Sequence, residues 1–478
     1  MTGGEISETT EASEIDRNDQ PNLNSDFTDD FHSQFHKSIV KPLSENERAE
    51  WLKKIWISKD LPSHAQEDDI KLLFWYAKQG ERRANSEVTI RHTKERDVPG
   101  KDPFCGGCQV AVDRKLENEA DGIIFNTGKM FSYLKGKGYC PVTTTNTLER
   151  ANGKSDEAIF PNQDKRDKEQ FYIFYQRESG TKGHEHSSLM TEEIDGMFNL
   201  TVSYRTDSDA VRRFGMIEES IQFARFDGKN IEYSDEEYFR RLMDKKTKKH
   251  LAAWFVSNCD HTEGAVKRWE YGESLMNAGL RLYGEGECFG KVTERSFSKE
   301  KKKTKKFTLD NVKFYLAFEN AYHCNDYISE KFWRNGFHSE TVPVVFGPHP
   351  DDVMKVAPPN SFIHSEWFTS PAQLVSYLEW LDRNDDAYLD YHQWRTLLLP
   401  QSEGENYVHS IFNLGVDELG YCMLCRKIRE MRSAKLHQSY KSVMKFWHYD
   451  LYDECKENIE FQPFQTSIRQ NKRSWKSL

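Results

Sequence analysis

FYLAFENAYHCNDYISEKFWRNGFHSETVPVVFGP, the stretch Phe314–Pro348, decides how this sequence folds. Lys313–Phe318 reads as a strand of aromatic and aliphatic residues. A polar turn follows, then a predicted helix from about Asp326 to Phe337. Asp326 is placed to cap that helix, and Ile328 with Phe332, then Trp333 with Phe337, repeat at helical spacing. Gly336 falls near its end, and Val342–Phe346 reads as a second strand closed by Gly347-Pro348. A strand–helix–strand unit of this length is what a right-handed parallel crossover requires. The chain is therefore expected to be α/β.

Outward from this unit, Ala252–Ser257 is an earlier strand and Ser370-Pro371-Ala372-Gln373 starts a later helix. Serine caps that helix, proline takes its first position, and glutamine can reach back as in a capping box. Leu374, Tyr377, Leu378 and Leu381 form its buried stripe, which ends at Arg383-Asn384-Asp385-Asp386. The charged stretch Asp235–Lys249 suits a linker or an exposed helix. Ahead of it, Ile70–Tyr76, Gly122–Phe125 and Gln170–Tyr175 are short strands separated by helical and polar segments, as in another α/β domain with a parallel sheet. The expected division is a tail at 1–66, domains at 67–245 and 246–400, and a C-terminal extension at 401–478. The tail is polar and poor in aromatics, so it is read as unable to order itself. It holds one short helix candidate, around Glu45–Trp56.

The 478 residues are too many for one ordinary core, and 30 Phe, 21 Tyr and 11 Trp can fill two. A formal net charge of −10 argues against a surface for wrapping nucleic acid. The longest apolar runs, such as Leu72–Ala77 and Val342–Phe346, are strand-sized and fall short of the ~20 residues of a membrane-spanning helix. Met1–Glu8 lacks the basic and apolar segments of a signal peptide. Lys299–Lys306 reads as a solvated loop. Nine cysteines include two Cys-x-x-Cys pairs, Cys105 with Cys108 and Cys422 with Cys425. Four thiolates could hold zinc, although the pairs stand at opposite ends of the folded region. The other reading is disulfides that cross-link the chain ends in an oxidising compartment.

Ligands of open α/β sheets sit beyond the carboxyl ends of the strands, against helix N-termini. In the Phe314–Pro348 unit that place holds Glu319, Asn320, Asp326, Tyr327, Glu330 and Lys331. A nucleotide diphosphate needs cations and free N–H groups, a ribose needs a carboxylate, and a base needs an apolar or aromatic wall. Lys331, Glu330 and Tyr327 supply these types within about one helical turn. Neighbouring Glu and Lys are also ordinary on an exposed helix, so the spacing alone is a weak pointer.

Phe314–Pro348 resembles the signature of the α1,3/4-fucosyltransferases, glycosyltransferase family 10. Its continuation, APPNSFIHSEWFTSPAQLVSYLEWLDRNDDAYLDYHQWR at Ala357–Arg395, is similar as well, and so is FNLTVSYRTDSD at Phe198–Asp209. The resemblance runs from roughly Ile70 to Cys425, dense in the second domain and patchy in the first. It implies a GT-B architecture, two Rossmann-like domains with parallel sheets facing each other, with the acceptor glycan on the first and GDP-fucose on the second. Carried over residue by residue, it implies Lys331 at the diphosphate, Glu330 at the ribose and Tyr327 against the nucleotide, with Asn320 in the same loop. Arg268, in SNCDHTEGAVKRW, matches the family arginine that clamps the diphosphate, a task suited to a guanidinium fork. Glu178, in YQRESGT, matches the base that takes the acceptor hydroxyl's proton in an inverting displacement. The implied reaction is α1,3 transfer of L-fucose from GDP-fucose to N-acetylglucosamine of a glycoprotein or glycolipid glycan. No tightly bound cofactor and no metal site are implied.

Gly180 stands where the family usually has proline after Glu-Ser, and Arg213-Phe214-Gly215 where it usually has Pro-Tyr-Gly. Ser329 replaces threonine before Glu330-Lys331. Asp207-Ser208-Asp209 looks like the metal-binding DxD of another glycosyltransferase architecture, a role the run does not have in this family. His184-Glu185-His186 lies in a polar loop without further ligands nearby. The resemblance implies a type II protein of the Golgi lumen held by a membrane anchor; none is read in this sequence, and a truncated sequence is the expectation. In that compartment Asn199-Leu200-Thr201 is usable as an N-glycosylation sequon. By the same resemblance, pairs drawn from Cys105, Cys108, Cys422 and Cys425 tie the ends of the catalytic region. Cys259 forms a separate bridge, with Cys324 its candidate partner. The competing readings are a catalytically silent relative that binds glycan or nucleotide, and a cytosolic protein stabilised by zinc on both Cys-x-x-Cys pairs.

Overall fold

The computed structural model describes residues 27–47, 50, 69–75, 87–89, 107–127, 161, 166–179, 196–217, 234–247, 249–290, 309–396, 416–443 and 446–447. Cys105, Gly180, His184–His186, Lys299–Lys306 and the Trp51–Trp56 part of the first helix candidate lie outside these residues.

Seven strands form the first sheet: β1 (Ile70–Phe74), β2 (Glu87–Thr89), β3 (Cys108–Ala111), β4 (Gly122–Asn126), β5 (Phe171–Tyr175), β6 (Leu200–Ser203) and β7 (Ala210–Val211). Their order is β2-β3-β1-β4-β5-β6-β7, parallel throughout except for the edge strand β2. Five strands form the second: β8 (Ala252–Phe255), β9 (Leu282–Glu285), β10 (Phe314–Phe318), β11 (Val342–Phe346) and β12 (Ile363–His364). Their order is β12-β11-β10-β8-β9, and every pairing is parallel. The central strands FYIFY, FYLAF and VPVVF are buried at every position. Continuous apolar runs are what a parallel strand covered on both faces demands. β10 and β11 pair directly from Phe314↔Val342 to Phe318↔Phe346, as the crossover reading requires. The chain thus has a two-domain α/β fold of the GT-B type.

The helix of that crossover departs from expectation. It starts at Glu330, and Lys331–Phe337 is wound as a π-helix that buries Phe332, Trp333, Gly336 and Phe337. Asp326 does not cap it: the residue has φ 58°, and its N–H donates to Asp352 Oδ2 at 3.2 Å. Single π-type turns occur often at functional sites.

Helices complete the layers. α1 (Asp29–Ile39) lies in the stretch expected to remain an unordered tail, yet it packs on the second domain. Its His32 and His36 bond to Ser376 (2.8 Å) and Tyr377 (2.7 Å), and Phe35 lies against Phe368 and Tyr377. α2 (Asp235–Lys245) leads into the second domain, where the next residue, Lys246, donates to the carbonyls of Asp310, Val312 and Glu340. α3 (Glu263–Asn277), α4 (Pro350–Val356), α5 (Pro371–Arg383) and α6 (Asp385–Asp390) follow. At α5 the cap is as read, with Gln373 N donating to Ser370 Oγ at 3.2 Å. The glutamine side chain, however, accepts from Thr369 N at 2.6 Å instead of from the capping serine.

α7 (Val416–Ser433) returns to the first sheet and sets Leu424, Ile428 and Met431 against Ile70, Leu72 and Ile173. A Cys108–Cys425 disulfide fastens it there. Cys422 and Cys324 are also disulfide-bonded, to partners outside the described residues, so the cysteines do not form the four-thiolate set that zinc would need. Cys259 pairs with Cys288, not with Cys324. The reason is topological: β8 and β9 are parallel neighbours, so residues just past their ends lie side by side, here with Cα atoms 5.6 Å apart. Among the described residues no helix is long and apolar enough to cross a membrane.

Candidate active site

The loop that leaves β10 is built around a buried carboxylate. Glu319 is 1% exposed, where a lone charge would be strongly disfavoured. It is satisfied by Ser329 N on Oε1 (2.8 Å) and by Ser329 Oγ (2.8 Å) and Lys331 Nζ (2.9 Å) on Oε2. Lys331 also donates to Ser329 Oγ (2.8 Å) and Glu330 Oε1 (3.3 Å). The side chain of Lys331 is 15% exposed, whereas that of Glu330 is 52% exposed. Burial works against the ammonium, but the charges of Glu319 and Glu330 outweigh it and hold the lysine above its ordinary value.

Tyr327 and Asn320 lie in the same loop, both buried, with the tyrosine hydroxyl donating to Asn320 Oδ1 at 3.2 Å. The N-terminus of α3 presses on this loop. Thr262 caps the helix through Ala265 N (3.1 Å) and donates its own hydroxyl to Asn320 O (2.7 Å). A Cβ at Gly264 would stand 2.7 Å from Ala321 Cα, so only glycine permits the approach. Arg268, on the next turn, is 3% exposed. It donates to Phe318 O (2.9 Å) and Asn258 O (2.6 Å), and its Nε has no partner among the described residues. The guanidinium therefore sits under the ends of β10 and β8. Burial draws its pKa down, against the opposing charge of Glu319.

Glu178 comes from the other domain, exposed just past the end of β5. Gln176 Oε1 accepts from both Arg177 N (2.9 Å) and Glu178 N (3.1 Å), which fixes the turn. The hydroxyls of Tyr204 and Tyr327 are held far above the ordinary tyrosine range, by burial first and with the Glu178 charge contributing to both. Their rings meet edge-on at 5.0 Å. Thr206 donates from N (2.9 Å) and Oγ1 (2.7 Å) to Asp326 Oδ2, and a small crevice between Tyr204, Arg213, Ile328 and Trp333 opens beside this contact. Glu178 and the loop of Asn320, Tyr327, Glu330 and Lys331 are thus brought to one junction between the domains.

Other sequence-predicted groups are engaged elsewhere. Asp207 binds Arg205, whereas Asp209 binds Thr201 and Tyr440, so the two carboxylates do not share a site. Asn199 Oδ1 accepts from Tyr172 N (2.8 Å) and Arg166, and its Nδ2 donates to Gln438 O (2.8 Å). Sequence reasoning placed Glu319 in the loop but gave it no role. Its signal was an acid directly after a wholly apolar strand, where a charge must have a partner.

Residues 67–215 match the family description "Fucosyltransferase, N-terminal", and residues 245–447 match "Glycosyltransferase family 10 (fucosyltransferase) C-term". The chain is 30% identical over 329 residues to "4-galactosyl-N-acetylglucosaminide 3-alpha-L-fucosyltransferase FUT6" of Homo sapiens, which spans 69% of this chain and 73% of that one. The chain belongs to the family 10 fucosyltransferases. It is also 31% identical over 329 residues to "3-galactosyl-N-acetylglucosaminide 4-alpha-L-fucosyltransferase FUT3" of Pongo pygmaeus, over 69% of this chain and 70% of that one. "4-galactosyl-N-acetylglucosaminide 3-alpha-L-fucosyltransferase FUT5" of Homo sapiens is 35% identical over 240 residues, 50% of this fucosyltransferase and 54% of that relative. Glu178 falls in the first matched family region, and Arg268 with the β10 loop in the second.

Proposed function

We propose that this fucosyltransferase transfers L-fucose from GDP-fucose, with inversion, in α1,3 linkage to N-acetylglucosamine of a glycan. Glu178 takes the proton from the acceptor hydroxyl while that oxygen bonds to C1 of fucose. The bond from C1 to the phosphate oxygen breaks, and GDP leaves with the electron pair. Lys331 and Arg268 offset the charge that grows on the diphosphate, Glu330 meets the ribose, and Tyr327 with Asn320 lines the nucleotide side. The observation that carries the reading is the junction itself, where Tyr204 of the first domain meets Tyr327 of the second edge-on at 5.0 Å and Thr206 holds Asp326 (2.7 Å), just past the strand that pairs with the one ending before Glu178. The α1,3 linkage is supported by the names of two of the three relatives above, FUT6 and FUT5, while FUT3 is named for a 4-linkage. The same reading places the protein in the oxidising Golgi lumen, where the Cys108–Cys425 and Cys259–Cys288 bridges persist.

The test is transfer of labelled fucose from GDP-fucose to a panel of small glycans, with Glu178→Gln as the comparison. Transfer by the parent, nearly abolished in the variant while GDP still binds, supports the assignment. Firm donor binding without transfer to any acceptor turns the reading towards a silent binder. A folded protein that does not bind GDP-fucose ends the donor-site assignment.

A further inference from the structure

Between the two halves of this site lies a ring that the reaction itself does not use. Phe214 follows β7 on the first domain and is half-buried. The Arg177 guanidinium stands over its face, 4.5 Å from the centroid. Arg177 is the residue directly before Glu178. On the other side the Phe214 ring meets Tyr327 edge-on, with centroids 6.0 Å apart and planes at 89°, and it lies 6.2 Å from Tyr204. One side chain therefore touches a neighbour of the base and a residue of the donor loop.

The backbone beside it leaves little room to shift. A Cβ on Gly215 would stand 2.2 Å from the Trp333 side chain, so the chain passes flush against the π-helix that begins with Lys331. Two residues on, Ile217 is buried in the second domain's core, among Phe332, Trp333 and Phe337. The segment is anchored on the far domain while Phe214 is held between Arg177 and Tyr327.

We infer that Phe214 is a positioning residue that couples the donor loop to the segment carrying the base. Aromatic edge contacts and a cation held over a ring face both depend on orientation. A donor that fixes Tyr327 therefore also fixes Phe214, then Arg177, and with it the turn that presents Glu178. This rests on the reading of Tyr327 and Glu178 given above. A ring that merely filled space would transmit nothing of this kind, and leucine would replace it at a cost in stability alone.

The experiment is hydrogen exchange followed by mass spectrometry on the full chain, with and without GDP, for the parent, Phe214→Leu, Phe214→Tyr and Arg177→Met. Steady-state kinetics accompany it. In the parent and in Phe214→Tyr, GDP should slow exchange both at 326–337 and at 171–179. In Phe214→Leu and Arg177→Met the slowing should persist at 326–337 and be lost at 171–179. The value of kcat should fall about tenfold in Phe214→Leu, while KM for the donor changes less than about threefold. An equal response at 171–179 in the parent and Phe214→Leu overturns the coupling. So does a parent in which 326–337 responds and 171–179 does not. If Phe214→Leu fails to fold, Arg177→Met decides by the same criterion. A parent in which GDP slows nothing at 326–337 overturns the donor-site reading itself, and the coupling with it.

Discussion

Glu319→Gln removes one buried charge and keeps the shape of the side chain. The native carboxylate accepts from Ser329 N, Ser329 Oγ and Lys331 Nζ at 2.8, 2.8 and 2.9 Å. Glutamine can keep the first contact through its carbonyl. Its amide then meets a hydroxyl, which can rotate, and an ammonium, which has only donors to offer. Removing one partner of a fully buried ion pair costs about 3–5 kcal/mol. Here the lysine side chain is 15% exposed and keeps Ser329 and Glu330 as partners, which limits the damage. The expected loss is therefore about 2–3 kcal/mol, with Kd for GDP weakened about tenfold as the ammonium leaves its place.

Denaturant unfolding and calorimetric titration with GDP measure the two effects separately. A second variant sharpens the test. Glu319→Gln combined with Lys331→Met replaces the pair by neutral groups, so stability should return to within about 1 kcal/mol of the parent while GDP binding does not recover. A single variant that unfolds at the parent's midpoint would show that the pair contributes nothing. A double variant less stable than the single would show that Lys331 is held by something other than Glu319.

Lys246→Met strips three backbone carbonyls of their donor and should cost about 2–4 kcal/mol, read as an earlier denaturant midpoint at unchanged slope. Burial pushes His338 and His364 each down to about 4, with Arg395 and Arg334 adding to the effect at His338. The unfolded histidines, near 6.5, bind protons first, so this contribution is complete above that pH and is lost as pH falls towards 4. The loss is about 2 kcal/mol per histidine by pH 5, and urea midpoints that stay level between pH 7 and 5 would refute it. Cys425→Ser opens a bridge spanning 317 residues of sequence and should lower stability by about 2–5 kcal/mol without reductant. Reductant should then draw the melting temperatures of parent and variant together.

Legibility in the sequence followed the length of the apolar run. Val342–Phe346 occupies the limits its composition suggests, and β1, β4, β5, β8 and β10 lie within one or two residues of theirs. Each is a run of large apolar side chains long enough to stand out. β7 and β12, at two residues each, the short β2, β3 and β6, and the half-exposed β9 carry no such run and are not read as strands from the sequence. Missing β9 also hid the Cys259–Cys288 bridge, because nothing then set residue 288 beside 259. α1 was obscured by its polar surroundings: His32, Phe35, His36 and Ile39 fall at helical spacing, but the two histidines bond to residues more than 340 positions away. The candidate site divides the same way. The local run of Tyr327, Glu330 and Lys331 could be read from its chemistry and resemblance, whereas the roles of Glu319 and Phe214 depend on partners that only the fold supplies.

Asp326 shows why that dependence matters for the site. By sequence it is a helix cap; in the structure it and His323 both adopt positive φ, 58° and 51°, within four residues of each other. Such conformations cost non-glycine residues of the order of 1 kcal/mol or more each and persist only where surrounding contacts over-determine them. Within its own domain the loop is held by Glu319 on Ser329 and by Gly347 O on His323 N (2.6 Å). From the other domain it is held by Thr206 on Asp326 and by Tyr204 and Phe214 against Tyr327. Asp326 itself is held from both domains: its N–H donates to Asp352 of its own domain, and its carboxylate accepts from Thr206 of the other. The loop is thus held from both domains, and Phe214, packed on Tyr327 and under Arg177, links those contacts to the residue before Glu178.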